Sequence, residues 1–193
     1  IDLPASDLYD LLTGAMVAVD KSKGGVEKLA GGYLSVSNGK LIAKATDRYR
    51  LIIGTAKAIR EVTDNNQGEL DQVFISPESV KALIAALKAD KAAIVRLDLS
   101  GDDLTLTTGG GSVSVKVSPA QFPPVDHLLA KFEPNLDGGQ VRLDPKLIGS
   151  FAKIPSDGGG MLLSFNDKKG VKIDIKHDLI LWDILLMPMR LKA

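Results

Sequence analysis

Ile75-Ser76-Pro77-Glu78-Ser79-Val80-Lys81-Ala82-Leu83-Ile84-Ala85-Ala86-Leu87 carries the pattern on which the fold turns. Val80, Leu83, Ile84 and Leu87 fall at i, i+3, i+4 and i+7, the apolar stripe of a helix. Pro77 suits a first helical turn, where the N–H it lacks would have no partner anyway. Ser76, directly before it, is a good N-cap. Downstream, Val95, Leu97 and Leu99 alternate with Arg96 and Asp98 in the period of a strand. A Ser100-Gly101-Asp102 turn leads to Leu104 and Leu106. A Gly109-Gly110-Gly111 turn leads to Val113, Val115 and Val117. The segment reads as a strand end, a helix and three strands.

The same order occurs twice more. Leu3-Pro4-Ala5-Ser6-Asp7-Leu8 and Leu143-Asp144-Pro145-Lys146-Leu147-Ile148 match the opening, and the three prolines lie 73 and 68 residues apart. In the first copy Leu8, Leu11, Leu12 and Ala15 make the helical stripe. Tyr33–Val36 and Leu41–Ala45 flank Asn38-Gly39, a strong hairpin signal, and Leu51–Ile53 follows. In the third copy Leu147, Ile148 and Phe151 form the stripe, with strands at 161–165, 171–175 and 181–187. The expected fold class is α+β: β-α-β-β-β units with antiparallel sheets outside and helices on one face. Residues 1–122 hold two such units, 1–60 and 73–118, separated by a connection at roughly 60–72. Residues 123–140 read as a second connection, and 141–193 hold one further unit.

Composition narrows the function. The 193 residues hold 24 basic and 24 acidic side chains, no cysteine, and two histidines in separate segments, His127 and His177. No thiolate metal site or disulfide framework is available, and a serine–histidine triad is poorly supplied. The lack of cysteine fits a reducing cytoplasm. Net zero charge argues against tight free-standing DNA binding, though a ring linked topologically to DNA escapes that argument. No secretory signal is visible, and the most apolar run, 179–189, is far short of the about 20 residues needed to span a bilayer. Gly109-Gly110-Gly111-Ser112 lacks the lysine of a phosphate-binding loop. Nothing demands catalysis, and no cofactor is expected.

Three stretches then give a specific resemblance. Ala45-Thr46-Asp47-Arg48-Tyr49-Arg50-Leu51 resembles the Ala-Thr-Asp-Gly-His-Arg-Leu segment in the middle domain of bacterial sliding clamps, the β subunit of DNA polymerase III. Phe122-Pro123-Pro124 resembles the Phe-Pro-Asp-Tyr that ends that domain. Met187-Pro188-Met189-Arg190-Leu191 resembles the clamp's C-terminal Met-Pro-Met-Arg-Leu. The resemblance covers the middle domain and the second half of the last domain. It departs at Arg48, where the family often has glycine, and at Tyr49, where it often has histidine.

That resemblance implies a non-enzymatic processivity factor that encircles double-stranded DNA and tethers a DNA polymerase. Polymerase and clamp loader would insert a short peptide into a cleft built from Thr46, Tyr49, Arg50, Leu51, Pro123, Leu128, Leu185, Leu186, Met187, Pro188, Met189, Arg190 and Leu191. Lys81 and Lys88, and Lys146 and Lys153, each seven apart on a helix, would face the DNA. A clamp ring has twelve units, so three per chain favours a homotetramer, with the third unit pairing with its own copy. The reduction suggests a phage-encoded, cytoplasmic protein. The alternatives are a clamp-like interaction protein that does not encircle DNA and an unrelated α+β enzyme.

Overall fold

The computed structural model describes residues 1–22, 26–59, 70–89, 93–135, 141–166 and 168–189. The chain opens with β1 (Asp2–Pro4) and α1 (Ala5–Ala15), then β2 (Gly32–Ser37), β3 (Lys40–Thr46) and β4 (Arg50–Lys57). The order repeats in β5 (Leu70–Ile75), α2 (Pro77–Ala89), β6 (Ile94–Ser100), β7 (Asp103–Thr108) and β8 (Gly111–Lys116). A short β9 (Ser118–Pro119) and α3 (Asp126–Ala130) lie in the connecting stretch. Then come α4 (Pro145–Ser150), β10 (Leu162–Asn166), β11 (Gly170–His177) and β12 (Ile180–Leu186).

Local chemistry accounts for these boundaries. Ser76 Oγ accepts the Ser79 N–H at 3.1 Å and the Asp144 carboxylate accepts the Lys146 N–H at 2.8 Å, so both expected caps form. Asn38 and Gly39 both take positive φ, 51° and 67°, as a two-residue turn joining Ser37 to Lys40 requires.

The strands form two antiparallel sheets. One runs β1-β6-β7-β8; the other runs β10-β11-β12-β4-β3-β2-β5-β9. The first two units exchange their opening strands: β1 pairs with β6, and β5 pairs with β2. The third unit is stitched to the first by β12·β4, from Ile180↔Ala56 to Leu186↔Arg50. The helices cover one face. Leu8, Leu11 and Leu12 of α1 and Val80, Leu83 and Leu87 of α2 enter one core with Ile52, Leu97, Ile173 and Ile184. Each such side chain contributes about 1.5–3 kcal/mol when buried.

Trp182 locks the third unit to the first. It pairs across the ladder with Gly54 of β4 and is fully buried. A Cβ on Gly54 would sit 2.8 Å from the ring's Cε3, and one on Gly14 of α1 2.6 Å from its Cζ2. Only glycine leaves room for the indole at both places.

Two expectations are revised. Residues 141–144 form no strand, so the third unit lacks the opening strand seen in the other two. An opening strand pairs with a sister unit, and among the described residues none lies beside this one. The third helix is short: α4 ends at Ser150 and Phe151–Lys153 continues as a 3-10 turn. Lys146 and Lys153 therefore do not share one α-helical face. The expected connection at 60–72 falls mostly outside the described residues, and β5 already occupies its end.

Candidate functional site

The Ala45–Leu51 stretch is a tight corner between β3 and β4, and its polar residues build it. Asp47 Oδ1 accepts the N–H groups of Tyr49 at 3.0 Å and Arg50 at 2.7 Å. Thr46 Oγ1 donates to the Arg50 carbonyl at 2.7 Å and accepts the Arg48 N–H at 3.3 Å. Arg48 takes φ 75°, which suits the glycine the family often has there. Arg50 folds back onto Asp47, with Nε 2.9 Å from Oδ2. Its other arm reaches Ser150 Oγ at 2.5 Å, at the end of α4. The buried Arg50–Asp47 pair thus joins the first unit to the third. Thr46 and Arg50 are already engaged in the fold.

On the sheet face away from the helices lies a second apolar cluster. Tyr33, Leu51, Phe122 and Leu185 are buried together, with Val125, Leu129 and Phe132 packed against them. Leu51 and Leu185 are direct cross-strand partners. The chain after β9 folds over this face. Phe122 stacks edge-on against Tyr33 at 5.1 Å, its N–H donates to Gln72 Oε1, and Asp126 pairs with Lys44 of β3. Leu51 and Leu185 are therefore a floor beneath α3 and its approach. Leu186 belongs to the main core instead.

What faces solvent is the rim. Tyr49, Leu128, Met187 and Met189 are exposed, and Pro123 and Pro188 are half-buried. The Met187 N–H donates to the Tyr49 carbonyl at 2.9 Å, which ties the tail to the corner. Met189 donates to Arg142 O at 2.8 Å. By strand alternation Met187 follows Leu185 onto the outer face. Of the expected residues, Tyr49, Leu51, Leu185 and Met187 meet at the β4–β12 junction, Tyr49 and Met187 exposed and Leu51 and Leu185 buried. Arg190 and Leu191 lie outside the described residues. A concavity of about 350 Å³ lies elsewhere, over β10–β12, lined by Asp157, Gly160, Leu162, Asp174, Lys176 and Leu181.

Lys81, Lys88, Lys146 and Lys153 are all exposed. Lys88 Nζ also lies 5.5 Å from the centre of the Tyr9 ring. Sequence reasoning missed the parts played by Asp47, Ser150 and Lys44. An aspartate two residues before a tyrosine and three before an arginine was the available signal for the first.

Two sheets with helices on one face, built from strand-exchanged units and sewn edge to edge, form the sliding-clamp fold. In particular, the chain matches solved structures of the DNA polymerase III β subunit. Against the protein from Thermotoga maritima the TM-score is 0.65 at 12% identity, with 100% of this chain and 65% of that one covered. The clamp from Bacillus subtilis gives 0.73 at 15% identity, covering 100% and 64%. The β subunit from Streptococcus pyogenes gives 0.75 at 15%, covering 99% and 66%. This chain therefore spans just under two thirds of the length of these clamps. No protein-family model and no curated protein matched the sequence.

Proposed function

We propose that this protein is a non-catalytic DNA polymerase processivity factor: copies of it form a ring around double-stranded DNA and tether a polymerase through a short peptide. The observation that carries the reading is the β4–β12 junction on a clamp fold, where Met187 bonds to the Tyr49–Leu51 corner and Pro188 and Met189 follow it. The peptide's apolar anchors would rest among Tyr49, Leu128, Pro123, Met187 and Met189, with Arg190 and Leu191 beside them. Methionine's polarizable, adaptable side chain suits a surface that serves both polymerase and clamp loader.

Residues 1–122 act as one complete domain and 141–193 as a half-domain. Twelve units per ring then call for four chains, about 82 kDa from chains of 20.5 kDa. Lys81, Lys88, Lys146 and Lys153 would give weak, sequence-independent contact with phosphates, with retention coming from topology rather than affinity. On this reading the clamp is phage-encoded and works in the cytoplasm. Among the described residues no helix is long and apolar enough to cross a membrane.

Two measurements test the reading. The chain, loaded onto DNA, should be retained on a closed circle and lost when the circle is linearised. A labelled peptide from a polymerase C-terminus should bind, and Met187→Lys with Met189→Lys should weaken it at least tenfold. Undiminished binding by that variant would refute the site. Equal retention on linear DNA would favour the second reading, a partner-binding protein that does not encircle DNA.

A further inference from the structure

The third unit exposes side chains that the other two bury at the same places. Leu163↔Ile173 and Phe165↔Val171 correspond to Leu34↔Ala43 and Val36↔Leu41 in the first unit. In the second unit they correspond to Leu97↔Leu106 and Leu99↔Leu104. Leu34 and Leu97 are 2% and 3% exposed, whereas Leu163 is 43% exposed. Two residues earlier, Met161 is 46% exposed where Val95 is 2%. On the helices, Ile148 is exposed where Leu8 and Val80 are buried.

The sheet edges explain the difference. β2 is bordered by β5, and β6 by β1, each the opening strand of the sister unit. β10 ends its sheet. The third unit's own opening segment, 141–143, forms no ladder, yet it is held where an opening strand belongs. Met189 N–H donates to Arg142 O at 2.8 Å, as Ile59 N–H donates to Asp2 O at 2.9 Å in the first unit.

We propose that a second copy of this chain is the missing neighbour. The 141–143 segment of each copy pairs antiparallel with β10 of the other about a two-fold axis. Every copy carries both the segment and the edge, so the contact is self-complementary. The register follows from the chain's own precedent. Leu3 faces Val95 and Ile75 faces Gly32, which sets Leu143 opposite Met161; Val73 faces Leu34, which sets Val141 opposite Leu163. Half-buried Val141 and Leu143 then close over Met161, Leu163 and Ile148. Phe165 O already accepts the Asn135 N–H at 2.8 Å, so the new ladder stops short of it. A bare edge strand rimmed by exposed apolar side chains is otherwise an aggregation hazard. For its place in a ring, this pairing rests on the reading above; as a dimer contact it rests on the strand correspondence alone.

The chain has no cysteine, so a pair can be introduced cleanly. Arg142→Cys with Leu162→Cys occupies the counterpart of Asp2↔Arg96. Mild oxidation should give a disulfide-linked dimer, and Arg142→Cys with Ser164→Cys, out of register, should not. The unmodified chain should sediment as a dimer or a multiple of it at micromolar concentration. Leu163→Lys with Phe165→Lys should halve that mass while circular dichroism stays unchanged. A monomer at all concentrations, or crosslinking equally efficient out of register, would overturn the proposal. Specific crosslinking without retention on circular DNA would sink the ring and leave the dimer standing.

Discussion

Replacing Gly54 with alanine should loosen the junction that carries the candidate site. The added Cβ would lie 2.7 Å from Leu11 Cδ1 and 2.8 Å from Trp182 Cε3. Carbon atoms at rest sit about 3.5–4.0 Å apart, so roughly 1 Å must be recovered. The indole has no room to yield it, because the ring is fully buried and Gly14 of α1 also packs against it. Overpacking of this kind costs about 1–3 kcal/mol. With a urea dependence of about 1–3 kcal/mol per molar, the unfolding midpoint should fall by about 1 M. Trp182 is the sole tryptophan, so its fluorescence reports on the junction directly. A companion variant, Gly54→Ala with Trp182→Leu, should cost less than the sum of its parts by about 0.5–3 kcal/mol, followed by circular dichroism. An unchanged midpoint in Gly54→Ala, or strict additivity in the double variant, would refute the idea that the indole is the rigid pin.

Two further outcomes are expected. Burial raises the Asp7 carboxyl above its ordinary value of 3.8, with Asp178 adding to the rise while the Ser6 hydroxyl and His177 oppose it. The folded state therefore holds that proton more tightly than the unfolded one. The stability it contributes is full below pH 3.8 and is lost as pH climbs through the raised value. Asp7→Asn should accordingly raise the thermal midpoint at pH 7 and match the parent chain in acid; a lower midpoint at both pH values would exclude this account. Arg48→Gly removes a left-handed arginine, worth about 1 kcal/mol, and also the ion pair with Asp20 at 3.1 Å. Urea titration should show a change between zero and about 1 kcal/mol toward greater stability, and clear destabilisation would count against backbone strain at this corner.

The repeated units were readable because their signals are local. A proline in a first turn, a 3.6-residue stripe and alternating valines and leucines each act over a few residues, and all three recur in order. The Thr46–Leu51 corner and the Met187–Met189 tail were readable through resemblance, and β4·β12 brings them together. Other features depend on neighbours distant in sequence. Leu51 and Leu185 look like open cleft walls until Phe122 and Val125 fold across them. Arg50 looks free until Ser150, a hundred residues later, accepts its guanidinium. The opening strand expected before Pro145 failed to form because strand formation needs a partner, and no pattern within a segment reveals whether one exists.

The exchange of opening strands also sets an order of events during synthesis. β1 finds its ladder only in β6, with Leu3 opposite Val95, and β2 is flanked by a strand that follows residue 69. Neither of the first two units can close by itself as it leaves the ribosome. Both must wait until β6 has emerged, and contacts so distant along the chain are slow to form. The nascent chain should therefore stay protease-sensitive until β6 has emerged and then acquire protection in one step.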